Sequence, residues 1–144
     1  MTKGYKFRIY PTKSQEEILK KTIGCCRYVY NHALAMRRDA WQNEKKSVDY
    51  SKTSADLTIL KREVTTEWLG EVSSVALQQS VRNADVAFSR FFKKQSRYPT
   101  FKKRKNGGSA RFVKTGFRLK KGLFYIAKTK TPIKVVWSRV LPSK

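Results

Sequence analysis

The sequence predicts an α+β fold: a small antiparallel sheet or partial barrel, split after its first strand by a helical insert. Three observations predict it. Residues 3–10 alternate apolar and polar side chains with period two. Residues 12–94 carry helical spacing. From residue 111 the alternation returns, with apolar residues set among Lys and Arg. A lone first strand needs partners, and only the tail (111–141) supplies them. Such pairing closes over a long sequence separation, which predicts slow folding.

The elements follow in order. Tyr5, Phe7 and Ile9 alternate with Lys6, Arg8 and Tyr10, and Pro11 ends the strand. Thr12 with Gln15 three residues on is a capping box, in which each side chain satisfies a backbone N–H of the other. Leu19, Ile23, Cys26, Tyr30, Leu34 and Trp41 then form one helical stripe, widened by Ile18, Val29 and Ala33. Gly24 interrupts it at a cost of about 1 kcal/mol relative to Ala. Either two short helices meet near Gly24, or one helix bends there.

Residues 44–52 are a polar connection. Leu57, Leu60 and Val64 space a short helix, and Trp68, Leu69 and Val72 form an apolar connector around Gly70. Another helix opens near Ser73 or Ser74 and carries Leu77, Val81, Ala84, Phe88 and Phe91 to about Lys94. Pro99 and Gly107-Gly108 make 96–109 a loop. Lys120-Lys121-Gly122 predicts a hairpin turn between 111–119 and 123–128. Pro132 separates a last strand, 133–141. The chain divides into 1–46, 47–95, the basic loop 96–110 and the strands of 111–144.

Charge narrows the function. The 144 residues hold 33 Lys and Arg against 10 Asp and Glu, a net charge of +23, yet 40% are apolar. This is a folded chain with a polyanionic partner, nucleic acid before anionic membrane. The charge is spread over strands and loops rather than set on one amphipathic helix, which argues against a membrane. All ten carboxylates lie in residues 1–85, while residues 86–144 hold 18 Lys and Arg and no acid. Residues 86–144 therefore cannot build a carboxylate site for Mg²⁺-dependent phosphodiester chemistry. Adjacent Cys25 and Cys26 with a single histidine, His32, do not make a zinc site. No catalytic, metal or cofactor residue is assigned. The N-terminus lacks a signal-type apolar core, and a reducing cytoplasm fits.

The binding candidates are cations and their neighbours. Arg27 and Asn31, four apart on one helix face, are residue types that read guanine and adenine edges. The competing reading is a solvated polar face. Arg37 and Arg38, with Lys20 earlier, extend a phosphate track. Arg97, Lys102, Lys103, Arg104 and Lys105 surround Tyr98 and Phe101, a pattern that joins phosphate contact to stacking. The blander reading has the two aromatics pinning the loop to the core, and both can hold. In the tail, Arg111, Lys114 and Arg118 alternate with apolar neighbours. Lys6, Arg8 and exposed Tyr10 join that face to suit an RNA backbone, unless the charge serves only to protect a strand edge.

Several motifs are familiar together. Lys6-Phe-Arg-Ile-Tyr-Pro-Thr12 with Gln15, and Gly24-Cys-Cys-Arg-Tyr-Val-Tyr-Asn-His-Ala-Leu34, resemble the opening of the TnpB (OrfB) family of insertion-sequence proteins. The resemblance continues through Leu57-Thr-Ile-Leu-Lys61, Ala76-Leu-Gln-Gln-Ser80, Tyr98-Pro-Thr-Phe-Lys-Lys103 and Ile133-Lys-Val-Val-Trp-Ser-Arg-Val-Leu-Pro142. It implies a helix-turn-helix segment in residues 1–46. It also implies a wedge-like barrel split by a helical recognition insert that lies near a target-adjacent motif and a guide duplex. Full members look like RNA-guided DNA endonucleases, relatives of the type V CRISPR nucleases. Their RuvC-like nuclease and zinc ribbon follow this portion and are expected beyond Lys144. The resemblance thus implies DNA and guide RNA as partners without cleavage by this chain, and the nuclease half as a partner if the gene is split. A stand-alone regulator or a decayed remnant of the transposon protein is the alternative.

Overall fold

In a computed structural model, residues 3–140 are described, and the chain is α+β. Its order is β1 (Arg8–Tyr10), α1 (Lys13–Glu44), α2 (Tyr50–Arg62), a 3-10 helix (Val64–Glu71), α3 (Ser74–Phe92), β2 (Phe117–Lys120), β3 (Leu123–Ile126) and β4 (Lys134–Val136). The helices lie between β1 and its partner β4, the insertion that the alternation at both ends predicts.

α1 starts at the capping box. Gln15 N–H donates to Thr12 Oγ1 at 3.3 Å, and Thr12 N–H donates to Gln15 Oε1 at 2.8 Å. Gln15 is buried, and its Nε2 also donates to the carbonyls of Thr131 and Pro132. The cap therefore fastens the helix start to the approach of β4. α1 then runs unbroken through Gly24. Cys25, Cys26 and Val29, just beyond that glycine, are buried against Leu57, Leu60, Leu69, Leu77 and Val81. Burying one such side chain contributes roughly 1.5–3 kcal/mol, which outweighs the propensity of one glycine. A turn between two helices is accordingly not present in residues 13–44.

α1 and α3 pack side by side in the same direction. Cys26 meets the Ala76 carbonyl near one end, and Arg37 pairs with Asp85 farther along. Tyr30, Ala33 and Leu34 bury against Ala84 and Phe88. His32 Nε2 lies 2.6 Å from Asp56 Oδ2 and ties α1 to α2. Two residues depart from the predicted stripes: Trp41 and Val64 are exposed. Val64 begins the 3-10 helix instead of continuing α2.

In place of the single expected sheet, the strands form two two-stranded antiparallel sheets, β1 with β4 and β2 with β3, and both are shorter than the alternation implied. Of residues 3–10, only Arg8–Tyr10 pair, with Ile9 opposite Val135. Of 111–119, residues 114–116 form a 3-10 turn, and the strand begins at Phe117. There Gly116 is buried against Val75 of α3, so closely that a Cβ would stand 2.9 Å from Val75 Cγ1. β2 and β3 form the predicted hairpin, turning through Lys121 (φ 53°) and Gly122 (φ 78°). Positive φ at both positions matches the tight turns that suit twisted strands. One bridge, Phe124 to Ile133, joins the two ladders. Residue 141 of the last predicted strand and the rest of the tail lie outside the described residues.

Candidate nucleic-acid interface

Residues 96–112 lie along α1 and run against its direction. Three contacts fix this course. The Arg38 guanidinium stacks over the Phe101 ring at 4.9 Å. One helical turn and more toward the amino end, Asn31 holds Lys102 by two hydrogen bonds, and the Lys102 ammonium sits 4.4 Å over the ring of buried Tyr30. Beyond them Gly108 lies against Ile23 and Arg27 so closely that a Cβ there would stand 2.5 Å from Ile23 Cγ2. At the other end of the loop, Tyr98 packs edge-on to Phe88 and Phe91.

This arrangement sorts the predicted residues. The loop crosses the helix face that carries Arg27 and Asn31 without burying it, and both amide atoms of Asn31 are engaged there. Arg37 turns inward: its side chain is 11% exposed, bonded to Asp85 and stacked on Phe88. Asn31 and Arg37 thus make contacts within the chain, while Arg27 stands beside Gly108 with no hydrogen bond or ion pair among the described residues. Arg38 is shared between Phe101 and Asp39, and Lys20 pairs with Glu16 at 2.8 Å.

The outward charge belongs to the loop itself. Arg97, Lys103, Arg104 and Lys105 are exposed, with no ion pair among the described residues. Lys102 is exposed as well, although its backbone is held by Asn31 and its ammonium lies over Tyr30. Residues 104–106 coil into one 3-10 turn, which bunches Arg104 and Lys105. A shallow basin of about 540 Å³ opens beside them, lined by Tyr30, Phe101, Lys102, Lys103 and Asn106 among others. Cations on a backbone pinned at several points lose less entropy on meeting phosphate than those on a free loop.

The strands add a second basic surface. Tyr5, Phe7, Ile9, Phe117, Leu119 and Trp137 line one apolar concavity. By strand alternation, Lys6, Arg8, Tyr10 and Arg118 face the other side. Arg118 stacks over Tyr125, its partner across the hairpin, at 4.5 Å. Arg111 and Lys114 are exposed on the path into the hairpin.

Behind the loop, two thiols and a phenol are buried. Burial, and next the neighbouring Cys26, push the Cys25 thiol up to about 11. Burial likewise raises Cys26 and the Tyr30 phenol. None of the three adds charge near neutral pH.

Sequence reasoning missed one polar cluster. Gln78 Nε2 on α3 donates to Tyr50 Oη and Ser54 Oγ on α2, and the Arg82 guanidinium stacks on Tyr50 at 4.5 Å. Residues from two helices make it, so no local motif announces it. Among the described residues no helix is long and apolar enough to cross a membrane.

Comparison with known proteins finds relatives of this sequence. Residues 1–46 match the family model described as "Helix-turn-helix domain", that of OrfB of IS605. In the structure those residues hold β1 and the unbroken α1. A "Putative RNA-guided DNA endonuclease" of Streptomyces pristinaespiralis is 43% identical over 141 residues, 97% of this chain and 35% of that protein. The "Putative RNA-guided DNA endonuclease InsQ" of Escherichia coli (strain K12) is 33% identical over 109 residues, 76% of this chain and 27% of its own length. This chain thus spans about a third of the length of these two relatives. The "Virulence protein VsdF" of Salmonella dublin is 37% identical over 116 residues, which cover 74% of this chain and 97% of that protein. A helical block set between paired strands, a pinned basic loop and these matches along most of the sequence lead to one assignment: the chain belongs to the TnpB/OrfB family of insertion-sequence proteins.

Proposed function

We propose that this chain is the nucleic-acid-holding amino-terminal portion of a TnpB-like protein, acting in the cytoplasm. It binds target DNA and guide RNA chiefly through their backbones. The observation that carries this reading is the acid-free loop, laid on α1 with Lys103, Arg104 and Lys105 turned to solvent. Its pinned cations are built for phosphates, which position a nucleic acid without reading its sequence. The names of two relatives support RNA and DNA as the ligands. Filter binding across a salt series tests it. Each phosphate contact adds about −0.7 to −0.9 to the slope of log K against log salt. A flat plot rejects the reading.

Cleavage is assigned elsewhere than to this chain. The ten carboxylates all lie in residues 1–85, and Glu16, Asp39, Asp56, Glu71 and Asp85 are engaged with cationic or histidine partners. Supercoiled plasmid incubated with the chain and Mg²⁺ should remain intact. Nicking that co-purifies with the chain overturns this assignment.

One observation favours a second reading. The match spans nearly all of the Salmonella dublin protein, so a chain of this size occurs as a protein by itself. A stand-alone nucleic-acid-binding regulator is therefore the alternative. It predicts a cooperative melt and tight binding to the element's DNA or RNA without any added nuclease half.

A further inference from the structure

α1 and α3 run in the same direction and finish side by side. Between their last turns lies a cavity of about 140 Å³. Trp41, Phe88, Phe91, Phe92 and Tyr98 wall it, together with Arg37. Phe88 is buried, and Phe91 meets the Tyr98 ring edge-on at 5.1 Å. The outer rings are different: Phe92 is 74% exposed and Trp41 56%. Isolated exposed apolar residues are ordinary, but an aromatic cluster with a charged rim marks an interaction site.

The cavity's own lining holds the cations Arg37 and Lys46, and further lysines neighbour its aromatic residues. Lys45 reaches over Trp41 at 5.8 Å, and Lys93 and Lys94 follow Phe92 directly. Lys46 pairs with Glu44, and Arg37 is committed to Asp85 through Nη2. The bland role of these lysines is to offset the carbonyl ends of two helices. The aromatic walls make the cavity itself unfit for a phosphate. Ring faces with cations outside them suit a flat, weakly polar group that carries its phosphates on one side. The buried Nε of Arg37 finds no acceptor among the described residues.

We propose that this pocket takes one unpaired nucleobase of a single strand, stacked on Phe92 and Trp41, with its flanking phosphates over Lys45, Lys93 and Lys94. A duplex keeps its bases stacked on one another and leaves the pocket empty. The inference rests on the nucleic-acid reading above and adds strandedness to it.

The test compares three labelled ligands on the whole chain: a short thymidine strand, an abasic strand of the same phosphate count, and a duplex. Stacking of a base on an aromatic ring makes the thymidine strand bind about fivefold to a hundredfold tighter than the abasic one. Phe92→Ala and Trp41→Ala should each remove most of that ratio. Their melting temperature, duplex affinity and salt slope should stay unchanged, and Phe92→Tyr should restore the ratio. Equal wild-type affinity for the thymidine and abasic strands overturns the pocket while the electrostatic reading stands. A full ratio retained in both alanine variants overturns it too, as does a loss shared equally by all three ligands. Wild-type binding that ignores salt removes both readings.

Discussion

Asn31 grips the backbone of Lys102 from both sides. Its Nδ2 donates to the Lys102 carbonyl at 3.0 Å, and its Oδ1 accepts the Lys102 N–H at 2.8 Å. The pair imitates a strand contact between a helix side chain and a loop, and it fixes where the basic run begins.

Asn31→Ala should free the loop. Two hydrogen bonds at an exposed site contribute about 1 kcal/mol together, taking the low end of the usual range. The Lys102 amide should then exchange with solvent faster, and nucleic-acid affinity should fall about fivefold with no change in charge. Amide exchange measured by NMR checks the first effect and a binding isotherm the second. An unprotected Lys102 amide in the wild type would contradict the clamp.

Two glycine replacements should act in opposite directions. A Cβ at Gly24 meets only Arg27 Nη2, at 3.7 Å, so Gly24→Ala should raise stability by about 1 kcal/mol. A Cβ at Gly108 collides with the stiff β-branched Ile23, so Gly108→Ala should cost about 1–3 kcal/mol or lift the loop from α1. Urea denaturation of both variants gives the signs.

Neutralising the loop should change the salt dependence more than the fold. Replacing Lys103, Arg104 and Lys105 together with Gln should flatten the salt slope by about 2 to 3, if each contacts a phosphate. Arg37→Gln should do the reverse. It breaks a part-buried pair with Asp85, lowers the melting temperature and leaves the slope nearly unchanged.

Alkaline conditions should weaken the fold. The Cys25 thiol is raised to about 11 by burial, so the folded chain holds a proton that the unfolded chain releases near pH 9. The folded state binds more protons in that window, and stability falls as pH climbs from about 9 toward 11. Cys26 and Tyr30, also raised by burial, act in the same direction. Melting temperatures across this window should drop less in Cys25→Ala than in the wild type.

Much of the fold was legible because its signals are local. Thr12 and Gln15 announce the helix start, and Lys121-Gly122 announces the hairpin turn. The spacing of Leu77, Val81, Ala84 and Phe88 gives α3 its buried face. What was not legible depends on partners far away in sequence. Gly24 reads as a break until the core behind Cys25 and Val29 is known. Trp41 fits the stripe by spacing, yet its ring stands 56% exposed at the open cavity between the ends of α1 and α3. At the interface, composition pointed to the loop cations. It could not show that Asn31 and Arg37, chosen as ligand-facing, are occupied within the chain. The same residue types serve hydrogen bonds to a base and hydrogen bonds to a loop, and only geometry separates them.

The pairing of β1 with β4 also sets an order of events on the ribosome. Tyr5, Phe7 and Ile9 are made first, while Val135 and Trp137 emerge only after the whole helical block. α1 and α3 can dock as soon as residue 92 clears the exit tunnel, because their contacts need nothing downstream. The first strand meanwhile waits with its apolar face uncovered. A nascent-chain chaperone should therefore hold residues 5–9 through that interval and let go when β4 arrives.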